Sequence, residues 1–126
     1  MNRLSFTLEF LFRASPSIVY QFLTTPDCLT RWFCDDCNIT GNHFVFEWDG
    51  AEEEATAIEN IEDERLTLEW EEFEGEDEYL DFKISRSEVT GETILEITAF
   101  CDDDEVEQEK QFWQTQMEGL KRATGG

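Results

Sequence analysis

Hydrophobic and polar side chains alternate with a period of two in five segments of this chain, and this alternation constrains its fold more than any other feature. The segments are 4–12, 44–48, 66–70, 80–84 and 95–99. Such a period places one face of a β-strand in a core and the other face outside it. A sixth strand is predicted at 54–61, after the hairpin-turn pair Asp49-Gly50. Because no connection between the later strands is long enough for a crossover helix, they predict an antiparallel meander.

Two short helices are predicted after the first strand. Ser15 offers an N-cap and Pro16 occupies the first helical position, and apolar residues follow at helical spacing up to Thr24. Thr25 and Pro26 repeat the same signal ahead of a second, shorter helix. The apolar stripe of that second helix consists of Leu29, Trp32 and Phe33.

A longer amphipathic helix, of about twenty residues, is predicted after Cys101. Its stripe consists of Val106, Lys110, Trp113, Met117 and Leu120. Acidic residues 102–105 stand at its start and Lys121 and Arg122 in its last turn, which matches the direction of the helix dipole. Gly125 follows as an end signal. Strands followed by one long helix predict an α+β fold.

Length and charge limit the functions that this chain can perform. Its 126 residues fit a single domain, 1–126. Nine Lys and Arg against thirty-one Asp and Glu give a net charge of −22. Because that charge repels phosphate backbones and anionic lipids, we expect no nucleic-acid partner and no stable membrane association. No segment has the length and apolarity of a membrane span or a secretory signal, so a cytoplasmic location is expected.

Several groups of residues carry a resemblance to a known family. They are Arg13-Ala14-Ser15-Pro16 before Val19-Tyr20, Thr25-Pro26 before Leu29, Arg31, Trp32 and Phe33, Gly41 before an aromatic strand, and Trp113 with Leu120 and Lys121 on the last helix. Together with the order of elements, these residues resemble the START-like (SRPBCC) helix-grip superfamily. Within it, they are most similar to the branch related to the activator of heat-shock-protein-90 ATPase, and especially to its short, acidic, stand-alone bacterial members. Asn42 departs from the pattern, because many members of that branch carry a second glycine there.

The resemblance implies a helix-grip fold, in which a curved antiparallel sheet of six to seven strands surrounds a long C-terminal helix and two short helices follow the first strand. In that superfamily an apolar cavity lies between sheet and helix. The inward phase of each element selects its candidate lining: Phe44, Phe46, Trp48, Leu68, Trp70, Phe82, Leu95, Ile97, Trp113 and Met117. The same bulky side chains can also fill the interior at native packing density, so a solid core and an open pocket both remain possible.

These two possibilities lead to two functional hypotheses. An open cavity predicts a non-catalytic module that binds an apolar small molecule. A filled core predicts a protein-interaction module, resembling a co-chaperone, that meets a basic partner through its acidic surface. Phe73 and Tyr79 lie in or beside the acidic run 71–78, where a ring framed by charge can anchor such a contact. An enzyme ranks third, because the inward positions carry almost no ionisable groups and no catalytic residue is assigned.

Cys34-x-x-Cys37 is the motif that comes nearest to redox or metal chemistry. A structural zinc site needs two further ligands at matching spacing, and only the separated Cys28, Cys101 and His43 remain. The intervening acidic residues Asp35 and Asp36 disfavour a thiolate, so ordinary free cysteines are predicted.

Residues Asp36 to Glu47 match the spacing of a calcium loop, but a strand runs through the second half of that segment. We therefore expect a turn at Gly41 instead, and neither a metal nor a cofactor. His43, the single histidine, is expected on the surface, and the acidic runs at turns and at the start of the last helix are interpreted as solvated surface.

Overall fold

The fold is that of a computed structural model, in which residues 2–125 are described. The elements in chain order are β1 (Arg3–Phe12), α1 (Pro16–Thr24), α2 (Pro26–Leu29), β2 (Asp36–Thr40), β3 (His43–Trp48), β4 (Ala51–Ile61), β5 (Arg65–Trp70), a short 3-10 turn (Glu71–Phe73), β6 (Leu80–Arg86), β7 (Thr93–Asp102) and α3 (Val106–Ala123). The seven strands form one curved antiparallel sheet in the order β1-β7-β6-β5-β4-β3-β2. The predicted α+β helix-grip fold is confirmed.

Consecutive strands from β2 to β7 form the predicted meander, and two of their turns rely on left-handed backbone. Asp49 and Gly50 both have positive φ (49° and 83°), which a two-residue hairpin turn of this kind requires. Gly41 has a φ of 60° in the turn between β2 and β3, where a turn and no calcium loop was predicted. The strand β2 was given no bounds of its own in the sequence analysis, although its five residues alternate between exposed and half-buried positions.

Helix α1 has its predicted side-chain cap, whereas Thr25, at the N-cap of α2, makes no such hydrogen bond. The Oγ of Ser15 accepts a 3.3 Å hydrogen bond from the backbone N–H of Ile18, with Pro16 first in α1. The second helix was predicted to extend through Phe33, but α2 ends at Leu29. The backbone N–H groups of both Phe33 and Cys34 bond to the Leu29 carbonyl, at 2.8 and 3.3 Å, so the chain closes into a tight turn there.

The core lies between the concave face of the sheet and the helices. On α3, Trp113, Met117 and Leu120 are buried against the sheet, as their helical spacing predicted. Strand β1 completes the sheet by pairing along its whole length with β7, from Arg3 opposite Asp102 to Phe12 opposite Thr93. Within residues 2–125, no helix is long and apolar enough to cross a membrane.

Antiparallel order brings particular strand ends together. One end of the sheet collects the starts of β1, β4 and β6 with the ends of β3, β5 and β7, and α3 begins there. We call this the cleft end. The opposite end carries the turns at 62–64 and 87–92. Residues at the two ends are therefore separated by the length of the strands, which for six or seven residues is about 20 Å.

Candidate functional site

An open cleft of about 500 Å³ lies at the cleft end of the sheet, within the size range of ordinary ligand pockets. Its aromatic lining consists of Phe33, Trp48, Trp70, Phe73, Tyr79, Phe100, Phe112 and Trp113. Its carboxylates are Glu53, Glu72, Glu78 and Glu109, and the remaining lining residues are Arg3, Ala51, Leu80 and Ala99. The cleft thus combines an apolar wall with several acidic groups.

The aromatic wall is held in place through the backbone carbonyl of Phe33. That carbonyl accepts a 2.6 Å hydrogen bond from Nε1 of Trp48 and a 3.1 Å bond from Nε2 of Gln116. The Phe33 ring stacks on Trp113, with ring centres 5.9 Å apart, and meets Trp48 edge-on at 5.2 Å. The turn after α2 therefore ties β3 to α3, and it orients two of the tryptophans that line the cleft.

The ten residues proposed from the sequence divide into two groups in the structure. Trp48, Trp70 and Trp113 line the cleft. The other seven are at most 2% exposed and form the packed interior behind it: Phe44, Phe46, Leu68, Phe82, Leu95, Ile97 and Met117. The space between sheet and helix is therefore filled along most of its length and open at one end. The solid core and the open pocket considered from the sequence each describe part of this space.

Glu53 is exposed, as expected for the acidic runs, but it also lines the cleft, which was not predicted. It belongs to the acidic run 52–54, which was interpreted as solvated surface at a turn. In the structure β4 already begins at Ala51, and Glu53 shares the concave face of the sheet with Ala55. It lies opposite Phe46 of β3. Extending the period of two backwards from Ala55 is the signal that identifies it.

Phe33 and Phe112 were also missed as lining residues. Phe33 had been assigned to the apolar stripe of a helix that ends before it, and Phe112 lies next to Trp113, away from the predicted stripe. Phe112 is 44% exposed, and its ring meets that of Trp113 at 5.4 Å. Its position at the open end of the cleft follows from where α3 begins relative to the sheet.

Arg3 is the single basic side chain among the described residues that line the cleft, and its charge is already paired. Its guanidinium contacts the carboxylate of Glu78 through two bonds of 2.6 and 2.9 Å, and Asp102 at 3.2 Å. It also lies 4.5 Å from the centre of the Phe73 ring. These contacts raise the pKa of Arg3, first through the hydrogen bond to Glu78.

Three other carboxylates of the cleft lack such a partner. The four ion pairs found within residues 2–125 include none of Glu53, Glu72 and Glu109. Burial raises the pKa of Glu53, and the neighbouring charge of Glu72 adds to this effect. Burial likewise raises the pKa of Glu109, with a further contribution from Glu105. Negative charge in this cleft is therefore poorly compensated by the protein itself.

Phe73 and Tyr79, considered above as anchors for a protein partner, make intramolecular contacts instead of standing free. Phe73 lies beneath the Arg3 guanidinium, and the Tyr79 ring meets Phe100 edge-on at 5.0 Å. Both rings are half-buried and belong to the wall of the cleft.

The four cysteines are free thiols, as predicted, and Cys34 and Cys37 lie close enough to affect each other. A hydrogen bond between the two side chains raises the pKa of buried Cys34 and lowers that of half-buried Cys37. Burial and the charges of Asp35 and Asp36 raise the pKa of Cys34 further.

Among residues 2–125, one group of side chains brings three potential metal ligands within 4.8 Å of one another: Asp102, Asp104 and Glu105, just before α3. Asp102 is already bonded to Arg3. A hydrogen bond with Asp102 also raises the pKa of Glu105. Exposed acids before a helix are common without a bound ion.

The fold and cleft together define a helix-grip protein with an open, aromatic-lined cleft at one end of its sheet. A family model described as the START-like superfamily domain matches residues 1–126. The chain belongs to this superfamily. No curated protein sequence matches the chain.

Solved structures agree with this assignment. A protein from Bacteroides fragilis is 30% identical, with a TM-score of 0.70, covering 100% of this chain and 94% of its own. The Aha1 dimer from Colwellia psychrerythraea is 20% identical, with a TM-score of 0.82 and 96% of both chains covered. The AHSA1-like protein from Aeromonas hydrophila is 17% identical, with a TM-score of 0.74, covering 95% of this chain and 91% of its own. The structural neighbours thus include Aha1-like proteins, as the resemblance implied.

Proposed function

We propose that this protein binds an apolar small molecule in the cleft, without catalysing a reaction on it. The observation that carries the proposal is a wall of eight aromatic rings, six of them partly or largely exposed, around a volume of about 500 Å³ beside a buried apolar core. Burying a Trp side chain is favourable, so a Trp that stays partly exposed to water forgoes part of that transfer free energy. A bound apolar molecule would recover it. Trp48 and Trp70 both retain exposed area here.

The rigidity of the wall supports the same proposal. Trp48 is fixed by its hydrogen bond to Phe33, and the indoles of Trp48 and Trp70 lie 6.5 Å apart with Phe46 behind both. A site whose walls are held by packing and hydrogen bonds loses little conformational entropy when a ligand enters it.

Uptake of the neutral fluorescent probe N-phenyl-1-naphthylamine tests this proposal. We expect saturable binding of one probe per chain. Ala51→Trp fills the cleft from β4 without removing any core side chain, and it should abolish uptake. Thr56→Trp introduces the same side chain on the exposed face of the same strand and is the matched control. The proposal is wrong if wild-type protein shows no saturable uptake, or if Ala51→Trp binds the probe as well as wild type does.

A protein-interaction module that meets a basic partner is the second candidate. It is supported by the net charge of −22 and by Phe112, an aromatic side chain 44% exposed on α3. It becomes the leading candidate if the cleft takes up no probe. A partner bound through this surface should dissociate at high salt, and Phe112→Ala should weaken its binding more than Val89→Ala, which removes another exposed apolar residue.

A further inference from the structure

We propose that the cleft selects an apolar ligand that carries a cationic head group, such as an amine or a quaternary ammonium. The inference rests on the proposed function and names the ligand class for the same site. It follows from two properties of the wall: aromatic faces, which attract cations, and carboxylates that the protein leaves unpaired.

Two tryptophans supply the aromatic surface of the cleft. Trp48 and Trp70 line it and keep exposed area, whereas Trp113 is buried behind Phe33. Trp is the side chain whose π-face attracts cations most strongly. The protein already uses the same interaction once in this cleft, where the Arg3 guanidinium lies 4.5 Å from the centre of the Phe73 ring. A ligand ammonium deeper in the cleft meets similar aromatic surface.

The charge of the lining points the same way. The lining of the cleft contains four carboxylates and one guanidinium, and that guanidinium is already bonded to Glu78. Glu53 and Glu109 belong to different elements, β4 and α3, and both line the cleft. A cation in the cleft is attracted by both charges.

The N-terminus of α3 does not reverse this preference. Its partial positive charge favours anions, but acidic residues stand before and within the first turn. They are Asp103, Asp104, Glu105, Glu107 and Glu109. An anionic ligand therefore meets a surplus of negative charge at this end of the cleft, and its entry is opposed.

Three probes with the same ten-carbon chain separate charge from apolar binding. Decyltrimethylammonium and decanoate are titrated below their micellar concentrations, and decanol below its solubility limit, at pH 8 with calorimetric detection. We expect the ammonium to bind about tenfold more tightly than the alcohol. A modest difference in binding free energy is enough to give this ratio. Decanoate should bind most weakly.

The variant Glu53→Gln with Glu109→Gln removes two unpaired charges of the lining with almost no change of shape. It should reduce the ammonium affinity to the level of decanol, and its unchanged decanol affinity shows that the cleft has kept its structure. The matched control is Glu62→Gln with Glu88→Gln, which removes two exposed charges at the opposite end of the sheet. It should retain the preference for the ammonium.

The outcomes distinguish this inference from the proposed function. If decanol binds but the ammonium binds no better, or if the double cleft variant keeps the preference, the inference is wrong and the apolar site stands. If the control variant loses the preference equally, the effect belongs to the overall charge of the protein and the inference is again wrong. If none of the three probes binds, the proposed function is overturned with it.

Discussion

The indole Nε1 of Trp48 donates a hydrogen bond of 2.6 Å to the backbone carbonyl of Phe33, fifteen residues earlier in the chain. This bond joins the turn after α2 to the end of β3, and Gln116 of α3 donates to the same carbonyl. Three elements that are distant in sequence therefore meet at one oxygen atom. The cleft opens beside this junction, so its shape depends on the bond.

Replacing Trp48 by Phe tests that dependence. The variant loses the hydrogen bond while keeping an aromatic side chain, and we expect a loss of about 1 kcal/mol in the free energy of unfolding. Uptake of N-phenyl-1-naphthylamine should also weaken. Trp32→Phe is the matched control, because Trp32 donates an equivalent bond of 2.9 Å to the Phe22 carbonyl but does not line the cleft. It should lose similar stability and keep its probe affinity.

Glu109 should make the protein less stable as the pH rises. Burial holds its pKa in the folded state above the value in the unfolded chain, which is about 4.3. Between these two values the folded state binds more protons, so the contribution of Glu109 to stability falls as the pH rises through the folded pKa. Glu109→Gln should therefore be more stable than wild type at pH 7 in urea unfolding, and the difference should shrink toward pH 5.

The exposed neighbour Glu107 provides the control for this experiment. It lies in the same first turn of α3. Glu107→Gln should not raise the stability at pH 7, because an exposed carboxylate near a helix N-terminus is favourable. Equal stabilisation by both substitutions would contradict the role given to burial of Glu109.

Asp81 is predicted to be a stabilising residue on the face of the sheet opposite the cleft. It is 6% exposed, and it accepts bonds of 2.9 and 3.2 Å from Arg65 and of 2.7 Å from the Oγ1 of Thr67. Asp81→Asn should lower the free energy of unfolding by about 1–3 kcal/mol, because it breaks a buried, charge-assisted network. Probe uptake by the folded protein should not change. Asp103→Asn, in an exposed turn, is expected to be neutral in the same unfolding assay.

Two glycines should respond to alanine in opposite directions. A Cβ on Gly119 of α3 meets Trp32 at 3.8 Å, an ordinary contact, so Gly119→Ala should stabilise the helix by about 0.5–1 kcal/mol. Gly50 has a φ of +83°, which alanine adopts only with strain, so Gly50→Ala should destabilise the hairpin. Thermal unfolding of the two variants should show a higher melting temperature for Gly119→Ala and a lower one for Gly50→Ala. A lower melting temperature for Gly119→Ala would show that α3 leaves no room for a methyl group beside Trp32.

The thiols should differ in reactivity. The pKa of Cys37 is lowered by the Cys34 thiol, whereas Cys34 is buried and its pKa is raised. Iodoacetamide should modify Cys37 well before Cys34 in the folded protein, as mapped by peptide mass spectrometry. Cys34→Ala should slow the reaction at Cys37, because it removes the hydrogen bond that stabilises the thiolate. Faster labelling of Cys34 than of Cys37 would contradict this assignment.

Much of the fold could be predicted from local patterns alone. The alternation at 44–48 places Phe44, Phe46 and Trp48 on one face, and the structure keeps all three on the concave side of the sheet. The Ser15-Pro16 cap and the Asp49-Gly50 turn lie where their chemistry requires. These features depend on the backbone geometry of a few neighbouring residues, which the amino-acid sequence specifies directly.

The site could be predicted only in part. The inward phase of the strands and the last helix identified Trp48, Trp70 and Trp113, but also seven residues that lie in the packed interior. The phase of a strand or helix shows which face a side chain is on. It does not show how far along that face the packing continues. Glu53 was not predicted to line the cleft, because three consecutive acids hide the period of two to which it belongs.

By itself, then, the sequence determined most of the elements, most of their inward faces and the superfamily, all of which depend on local spacing and on characteristic residues. Only the tertiary structure decided where the interior is filled and where it is open. That boundary depends on the pairing of β1 with β7 and on the position at which α3 begins relative to the sheet. It depends also on the Phe33 carbonyl, where β3 and α3 meet. These are contacts between segments far apart in the chain, and no local periodicity records the distances that they set.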